Sequence, residues 1–344
     1  MAGTNQPPVK QTAVQVVKYN FDVPADAIEV GKLDIPQPGE KEVLIRLILR
    51  PVNPADIFSI QGVYPGFRPS SLPAVPGLEG VGLVDRNGPG ASKFEVGQRV
   101  VAVPWRAVEG LGTWQQYVVV PESSLLAVPQ SLTDETAAQF FVNPVTAYGF
   151  LESFNAPQGE YILQSAAGSV LGRQLIQMAK HRGVRTINVV RREEQKQELK
   201  DLGADEVICS TTEDVVKRVM EITGGKGAFG AVDPVGGETT GKLLSSLRHG
   251  GALYIYGAME AFTFTCSIPD VLFQNKIVAG FWLGVWLASL PPSRKQQVLE
   301  EVMKLLEGGV VTPFHGRTFE LEHAKEAVAH TQEKARGGKA FLKG

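Results

Sequence analysis

Tyr64 sits in the hexapeptide IQGVYP (60–65), within a stretch dense in turn formers, NPADIFSIQGVYPGFRPSSLPAVPG (53–77). A tyrosine between Gly62 and Pro65 is poorly placed for a core. A loop built of glycine and proline can instead hold a side chain over a ligand. A phenol has a reference pKa of about 10 and is protonated at neutral pH. It can therefore donate to developing negative charge or act as a proton source. The alternative is a loop tyrosine that packs its ring and leaves its hydroxyl in water. A catalytic zinc site needs clustered cysteine and histidine ligands. The histidines are His181, His249, His315, His323 and His330, the cysteines are Cys209 and Cys266, and none precedes residue 181. The first half of the chain therefore cannot supply a zinc site.

A second constellation begins with Ser165-Ala-Ala-Gly168-Ser169-Val170-Leu171-Gly172. It lacks the full G-x-G-x-x-G pattern, and alone it could be any strand-to-helix turn. Its context says more, because it follows the apolar run EYILQSA (160–166) and opens a helical pattern. Backbone N–H groups of Gly168, Ser169, Val170 and Leu171 at a helix start can hold a pyrophosphate. The next strand ends in Val189-Val190 and is followed by Arg191-Arg192. Enzymes that use NAD place an acidic residue here for the ribose hydroxyls. Two guanidiniums suit a 2′-phosphate by charge and bidentate geometry, which points to NADPH. The alternative is a solvated start to the charged helix RREEQKQELK (191–200).

These groups need two kinds of scaffold. The first 130 residues carry β-branched runs broken by Gly and Pro, such as VLIRLILRPVN (43–53) and TWQQYVVV (113–120), which predicts short strands in a barrel or sandwich. After about Leu132 the pattern changes. Thr133 is a helix N-cap with Thr136, not an acid, three residues on, an incomplete capping box. From residue 160 strands and helices alternate, with a sixth strand at KIVAGFWL (276–283). That alternation predicts a parallel sheet covered on both faces, an α/β doubly wound nucleotide-binding fold. The tail has an amphipathic helix at 293–309, a short helix and a last strand KAFLK (339–343), and is expected to rejoin the first domain.

At 344 residues the chain is long enough for two domains. A formal net charge of −2 and the lack of basic blocks argue against a nucleic-acid partner. Two cysteines make no disulfide framework. The start MAGTNQPPVK (1–10) has no apolar core and no Arg-rich amphipathic pattern, so neither a signal nor a transit peptide is expected and the location expected is cytoplasmic. A mitochondrial matrix location would require a presequence already removed. The apolar run IVAGFWLGVWLASL (277–290) is too short for a membrane span and is expected to be a buried strand with its exit loop.

Several stretches together resemble a medium-chain dehydrogenase/reductase: NPADIFSIQGVYP, PAVPGLEGVG, GLGTW, VNPVTAYGFL, VDPVGG and the closing GGKAFLKG. Zinc members of that superfamily have Gly-His-Glu where this chain has Gly77-Leu78-Glu79-Gly80, so it looks like a zinc-free member. Within the zinc-free branches, IQGVYP, VNPVTAY, RTINVVR, YGAM and GFWLGVW are most similar to trans-2-enoyl-thioester reductases of the mitochondrial type, with quinone oxidoreductases the neighbouring branch.

The resemblance implies a GroES-like, partly open β-barrel catalytic domain (1–131 and 290–344) joined to a Rossmann NADP-binding domain (132–289). It implies NADPH-dependent reduction of an enoyl thioester, hydride to the β-carbon and a proton to the α-carbon. An NADPH:quinone reductase, a reductase of free enones and a non-catalytic NADPH-binding protein are the alternatives. Tyr64 falls on the catalytic position, and Asn143 on a residue at the nicotinamide end. Tyr256, Gly257, Ala258, Met259, Phe281, Trp282 and Leu283 fall on cofactor-binding stretches, and Lys339 is a candidate for a cofactor phosphate. Asn53 and Asp56 could be substrate contacts or simply start a turn. Trp282 and Trp286 could wall an acyl pocket or sit at a subunit contact. Arg68 and Arg106 could meet a phosphate of the thioester carrier or be surface charges. A homodimer joined sheet edge to sheet edge is also implied.

Overall fold

The computed structural model describes residues 10–105, 110–333 and 337–344; Arg106 lies outside them. In chain order the strands are β1 (Lys10–Val16), β2 (Ile28–Asp34), β3 (Glu42–Pro51), β4 (Val81–Asn87), β5 (Arg99–Ala102), β6 (Tyr117–Pro121), β7 (Leu125–Ala127), β8 (Tyr161–Gln164), β9 (Arg185–Val190), β10 (Glu206–Cys209), β11 (Ala228–Asp233), β12 (Leu247–Ile255), β13 (Ile277–Gly280), β14 (His315–Glu320) and β15 (Lys339–Lys343). The α-helices are α1 (Pro54–Gln61), α2 (Asp134–Ala138), α3 (Val142–Phe154), α4 (Val170–His181), α5 (Gln195–Leu202), α6 (Val215–Ile222), α7 (Gly237–Ser245), α8 (Ile268–Leu272), α9 (Leu283–Ser289), α10 (Pro292–Glu307) and α11 (Ala324–Gln332).

The chain divides into two compact units, 1–142 with 313–344, and 143–312. Both divisions fall later than the expected boundaries at 131/132 and 289/290. Helix α2 packs on β3 and β4 and so belongs to the first unit. Helix α10 is tied to α3, because Arg294 meets Glu152 at 2.6 Å and Tyr148 Oη at 3.1 Å.

The first unit is built on a seven-stranded sheet, ordered β14-β15-β3-β4-β5-β7 with β6 paired to β3, and a two-stranded sheet β1-β2. Among the described residues its named strands pair antiparallel except β14 with β15. The tail strand β15 lies against β3, Leu342 opposite Arg50. Trp114, Ile60, Phe67, Val328 and Leu342 are among the residues of one fully buried cluster that joins α1, the loop after it, α11 and β15.

The second unit is one parallel sheet, ordered β10-β9-β8-β11-β12-β13. Its strands are apolar and β-branched because both faces are covered. Leu163, Ile187 and Ile208 pack with Leu243 and Leu244 of α7, while Val190 and Cys209 pack with Ile176 of α4 and Leu199 of α5. The chain starts at β8 and winds outward to β10, then returns to β11 and winds the other way. The order reverses between β8 and β11, the topological switch point at which such sheets bind ligands.

The run 277–290 departs from the expected buried strand and loop. Only Ile277–Gly280 is strand, and Leu283–Ser289 is helix α9. Among the described residues β13 is hydrogen-bonded to β12 alone, and its other edge has no strand beside it. Ile277 is 52% exposed for that reason, and Val285 of α9 is exposed as well.

Candidate functional site

The first unit places Tyr64 at the end of a short rigid element. Helix α1 opens at Asn53, whose N–H donates to Asp56 Oδ2 at 2.7 Å, and Pro54 takes the first helical position, where its fixed φ suits the helix. The helix closes at Gly62, which is left-handed with φ of 80°. A side chain there would be strained and would meet the Tyr19 ring at 2.7 Å. The N–H groups of Val63 and Tyr64 then both donate to Phe58 O, at 3.0 and 3.1 Å. The Tyr64 backbone is thus held by the last turn of α1.

The Tyr64 ring is half-buried and packs on the core cluster of the first unit. It lies across Gly66, where an added β-carbon would be 2.5 Å from Cε1 and 3.1 Å from the hydroxyl oxygen. Arg68 is exposed, and its Nη1 donates to the carbonyls of Tyr64 and Phe67 at 3.0 and 3.1 Å. It serves the loop itself.

Asn53 and Lys339 lie in the interior of the first unit. They are 0% and 2% exposed. Lys339 Nζ donates to Asn53 Oδ1 at 2.6 Å, and Asn53 Nδ2 donates to Glu79 Oε1 at 2.9 Å. Glu79 Oε2 accepts from the N–H groups of Phe141 and Val142, at 3.2 and 2.8 Å, where α3 begins. Asn53, expected as a pocket residue, and Lys339, expected as a phosphate contact, are thus both turned into the interior of the first unit. Both groups have satisfied each other in the interior, as buried polar groups must. Burial raises the Asp56 carboxyl to about 7, with the Glu79 carboxylate adding to it and the Asn53 N–H and Lys339 ammonium opposing it. Burial also raises Glu79, against Lys339 and three N–H donors.

The same cluster answers whether zinc fits here. Leu78 offers no donor atom, Glu79 is engaged by Asn53 and two backbone N–H groups, and the ammonium of Lys339 lies beside it. This donor set does not suit a zinc ion. Among the described residues no group of three or more His, Cys, Asp and Glu side chains is placed to hold a metal.

The second unit brings the nucleotide candidates to one edge of its sheet. Gly168–Leu171 follow β8, Arg191 and Arg192 follow β9, Tyr256–Met259 follow β12, and Phe281–Leu283 follow β13. Because the strands are parallel, all four segments lie at their carboxyl ends. Ser169 caps α4, its Oγ accepting from Gly172 N at 3.1 Å. Arg191 and Arg192 are exposed, and Arg192 meets Glu194 at 3.3 Å. The Tyr256 hydroxyl is buried with no hydrogen-bond partner among the described residues, while its ring sits 4.9 Å from Phe150. Asn143 is buried in the first turn of α3. Phe281 is buried 4.6 Å from Phe150 and 5.8 Å from Trp286. Both Phe281 and Trp286 close on α3 at Gly149, where a β-carbon would meet them at 2.7 and 3.1 Å. Trp282 is 43% exposed.

Two supports escaped the sequence. Asp233, fully buried at the end of β11, accepts from Ser165 Oγ, Thr240 Oγ1 and the N–H groups of Val235 and Gly236. It ties the strand end before the glycine loop to the other side of the switch point. Its signal was the VDPVGG stretch. Gln195 at the start of α5 lies over Gly168, its Nε2 2.1 Å from where a β-carbon would be. A glycine loop at a helix start, two exposed guanidiniums directly after the next strand and a buried hydroxyl without a partner among the described residues together fit a dinucleotide.

Comparison with known proteins agrees with this division of labour. Residues 39–130 match the family described as the alcohol dehydrogenase GroES-like domain, and residues 170–307 match the zinc-binding dehydrogenase family. A mitochondrial enoyl-[acyl-carrier-protein] reductase of Caenorhabditis elegans is 36% identical over 304 residues, 86% of this chain and 85% of the relative. A quinone oxidoreductase of Pseudomonas syringae superposes with a TM-score of 0.87 at 26% identity, covering 97% of this chain and all of the other. The Etr1p/NADP/crotonyl-CoA complex superposes with a TM-score of 0.85 at 26% identity, covering 98% of this chain and all of the other. With both parts of the chain matched and identity at this level across most of its length, the chain belongs to the medium-chain dehydrogenase/reductase family, in its enoyl-[acyl-carrier-protein] reductase branch.

Proposed function

We propose that this protein reduces the C=C bond of a trans-2-enoyl thioester with NADPH and without zinc. The observation that carries the proposal is the Tyr64 loop, a phenol fixed by the end of α1 and laid across Gly66 in a chain whose relatives are named enoyl-[acyl-carrier-protein] reductases. The Etr1p structure, titled with NADP and crotonyl-CoA, supports the same chemistry. NADPH, when bound, supplies the hydride that goes to the β-carbon.

The chain's own residues do the rest. The first-turn N–H groups of α4 and the bare Gly168 receive the pyrophosphate. Arg191 and Arg192 receive the 2′-phosphate through charge and paired N–H donors. Asn143 and the segments 256–259 and 281–283 shape the remainder of the cofactor site. As hydride arrives, negative charge builds on the carbonyl oxygen of the substrate. A neutral phenol at Tyr64 donates to that oxygen or gives its proton to the α-carbon. No metal is needed for this step, since the phenol does what a Lewis acid would otherwise do. Trp282 and Trp286 are offered as walls for the acyl chain.

Consumption of NADPH with crotonyl-CoA, with a free enone and with a small quinone tests the proposal. Crotonyl-CoA is expected to be the best of the three. Tyr64→Phe is expected to lower kcat by about 10²-fold, the usual worth of a positioned proton donor. A fully active Tyr64→Phe enzyme removes the tyrosine from the mechanism. Preference for the quinone would support the second function, to which the likeness to the Pseudomonas syringae enzyme lends weight.

We further propose a homodimer joined through the open edge of β13, which would cover Ile277 and Val285. The mitochondrial names of the relatives support a mitochondrial location over the cytoplasmic one expected from the first ten residues.

A further inference from the structure

Three ionisable side chains, Asp56, Glu79 and Lys339, are buried together around Asn53 in the first unit. None of them takes part in the proposed chemistry. Well-packed apolar residues would generally be at least as stabilising as such a cluster, so its stability alone does not explain it. What hydrogen bonds add is direction. The side chain of Asn53 is held at both ends, its oxygen by Lys339 of β15 at 2.6 Å and its nitrogen by Glu79 at 2.9 Å. Its backbone N–H is held by Asp56 at 2.7 Å. Asn53 is the first residue of the α1 cap.

From there α1 runs for 8 residues, a rigid rod of about 12 Å. At its far end Phe58 O takes the N–H groups of Val63 and Tyr64. A small displacement of Asn53 therefore moves Tyr64, and a misplacement of about 1 Å is enough to lower a rate up to 10²-fold.

We propose that Asn53 and Lys339 are positioning residues for Tyr64: the Lys339–Asn53–Glu79 chain of hydrogen bonds sets where α1 begins, and α1 sets where the phenol is. The proposal rests on Tyr64 being the donor, as argued above. Both side chains are buried and act through α1.

The test is a cycle of variants assayed for crotonyl-CoA reduction. Lys339→Met combined with Glu79→Gln removes one positive and one negative charge, so no lone charge is left by the pair. In the parent enzyme this double change is expected to lower kcat about tenfold or more, with the KM for NADPH unchanged. In a Tyr64→Phe background it is expected to change the residual rate less than about twofold, because a displaced phenylalanine has no donor to lose. Asn53→Ala, which leaves Lys339 and Glu79 free to pair, serves as a second variant with the same expectations if the first does not fold. Full activity of the folded variants overturns the proposal. So does an equal loss in both backgrounds, which would mean a general structural role. A raised KM for NADPH with kcat intact would also overturn it and restore Lys339 as a phosphate contact. If Tyr64→Phe alone is fully active, the donor assignment itself has failed, and that result is read separately from the cycle.

Discussion

Asp56→Asn tests the electrostatics of the buried cluster through stability. The carboxyl of Asp56 is raised from 3.8 to about 7, mainly by burial and then by Glu79, against the pull of Asn53, Lys339 and the Leu78 backbone. Between those two values the folded state holds a proton that the unfolded chain has lost. Stability contributed by this group is therefore fully present below about pH 4 and declines as pH rises through about 7. From pH 5.5 to pH 8.5 the unequal protonation spans about 1.5 pH units below the folded pKa, which at about 1.4 kcal/mol per unit amounts to about 2 kcal/mol. Asparagine has no such dependence and keeps an oxygen for the Asn53 N–H. Denaturant unfolding of both proteins at the two pH values is the assay. The variant is expected to gain about 2 kcal/mol relative to the parent on going to the higher pH. A difference between the two proteins that does not change with pH would refute the burial argument, and a change of opposite sign would mean that Lys339 dominates.

Gly66→Ala places a β-carbon 2.5 Å from the Tyr64 ring, so the ring must leave its place; kcat is expected to fall about 10-fold or more with the melting temperature little changed, and an unaltered kcat would show that the ring position is not needed. Arg191→Ala with Arg192→Ala is expected to raise the KM for NADPH far more than that for NADH, and equal effects would refute the 2′-phosphate assignment. Ile277→Glu on the open edge of β13 is expected to yield monomers by sedimentation if the edge is the dimer contact; an unchanged oligomeric state moves the contact elsewhere.

Local chemistry was legible in the sequence and long-range pairing was not. Gly62 and Pro65 told that Tyr64 is on a loop, and the structure adds why the loop is rigid: α1 ends in a left-handed glycine and gives Phe58 O to the next two N–H groups. The doubly wound sheet was legible because apolar β-branched runs alternate with amphipathic ones over a local distance. The edge strand was misread because apolar composition reports that a surface avoids water, without saying which chain covers it. The run 277–290 read as a buried strand with its exit loop, yet Ile277 and Val285 within it are exposed.

Lys339 and Asn53 show the harder limit. An ammonium can meet a phosphate or an amide oxygen, and an amide can meet a substrate or a carboxylate. Which occurs depends on a partner 286 residues away, a separation at which no pattern of spacing operates. The interior pairing also has a physical reason to prevail once the strands are set. β15 pairs with β3 directly before Asn53, with Phe341 opposite Pro51, so Lys339 enters beside two carboxylates that burial has already destabilised. A cation there lowers the energy of both Asp56 and Glu79, which no phosphate-facing rotamer could do. The register of the last strand, more than the identity of the lysine, therefore determines its role.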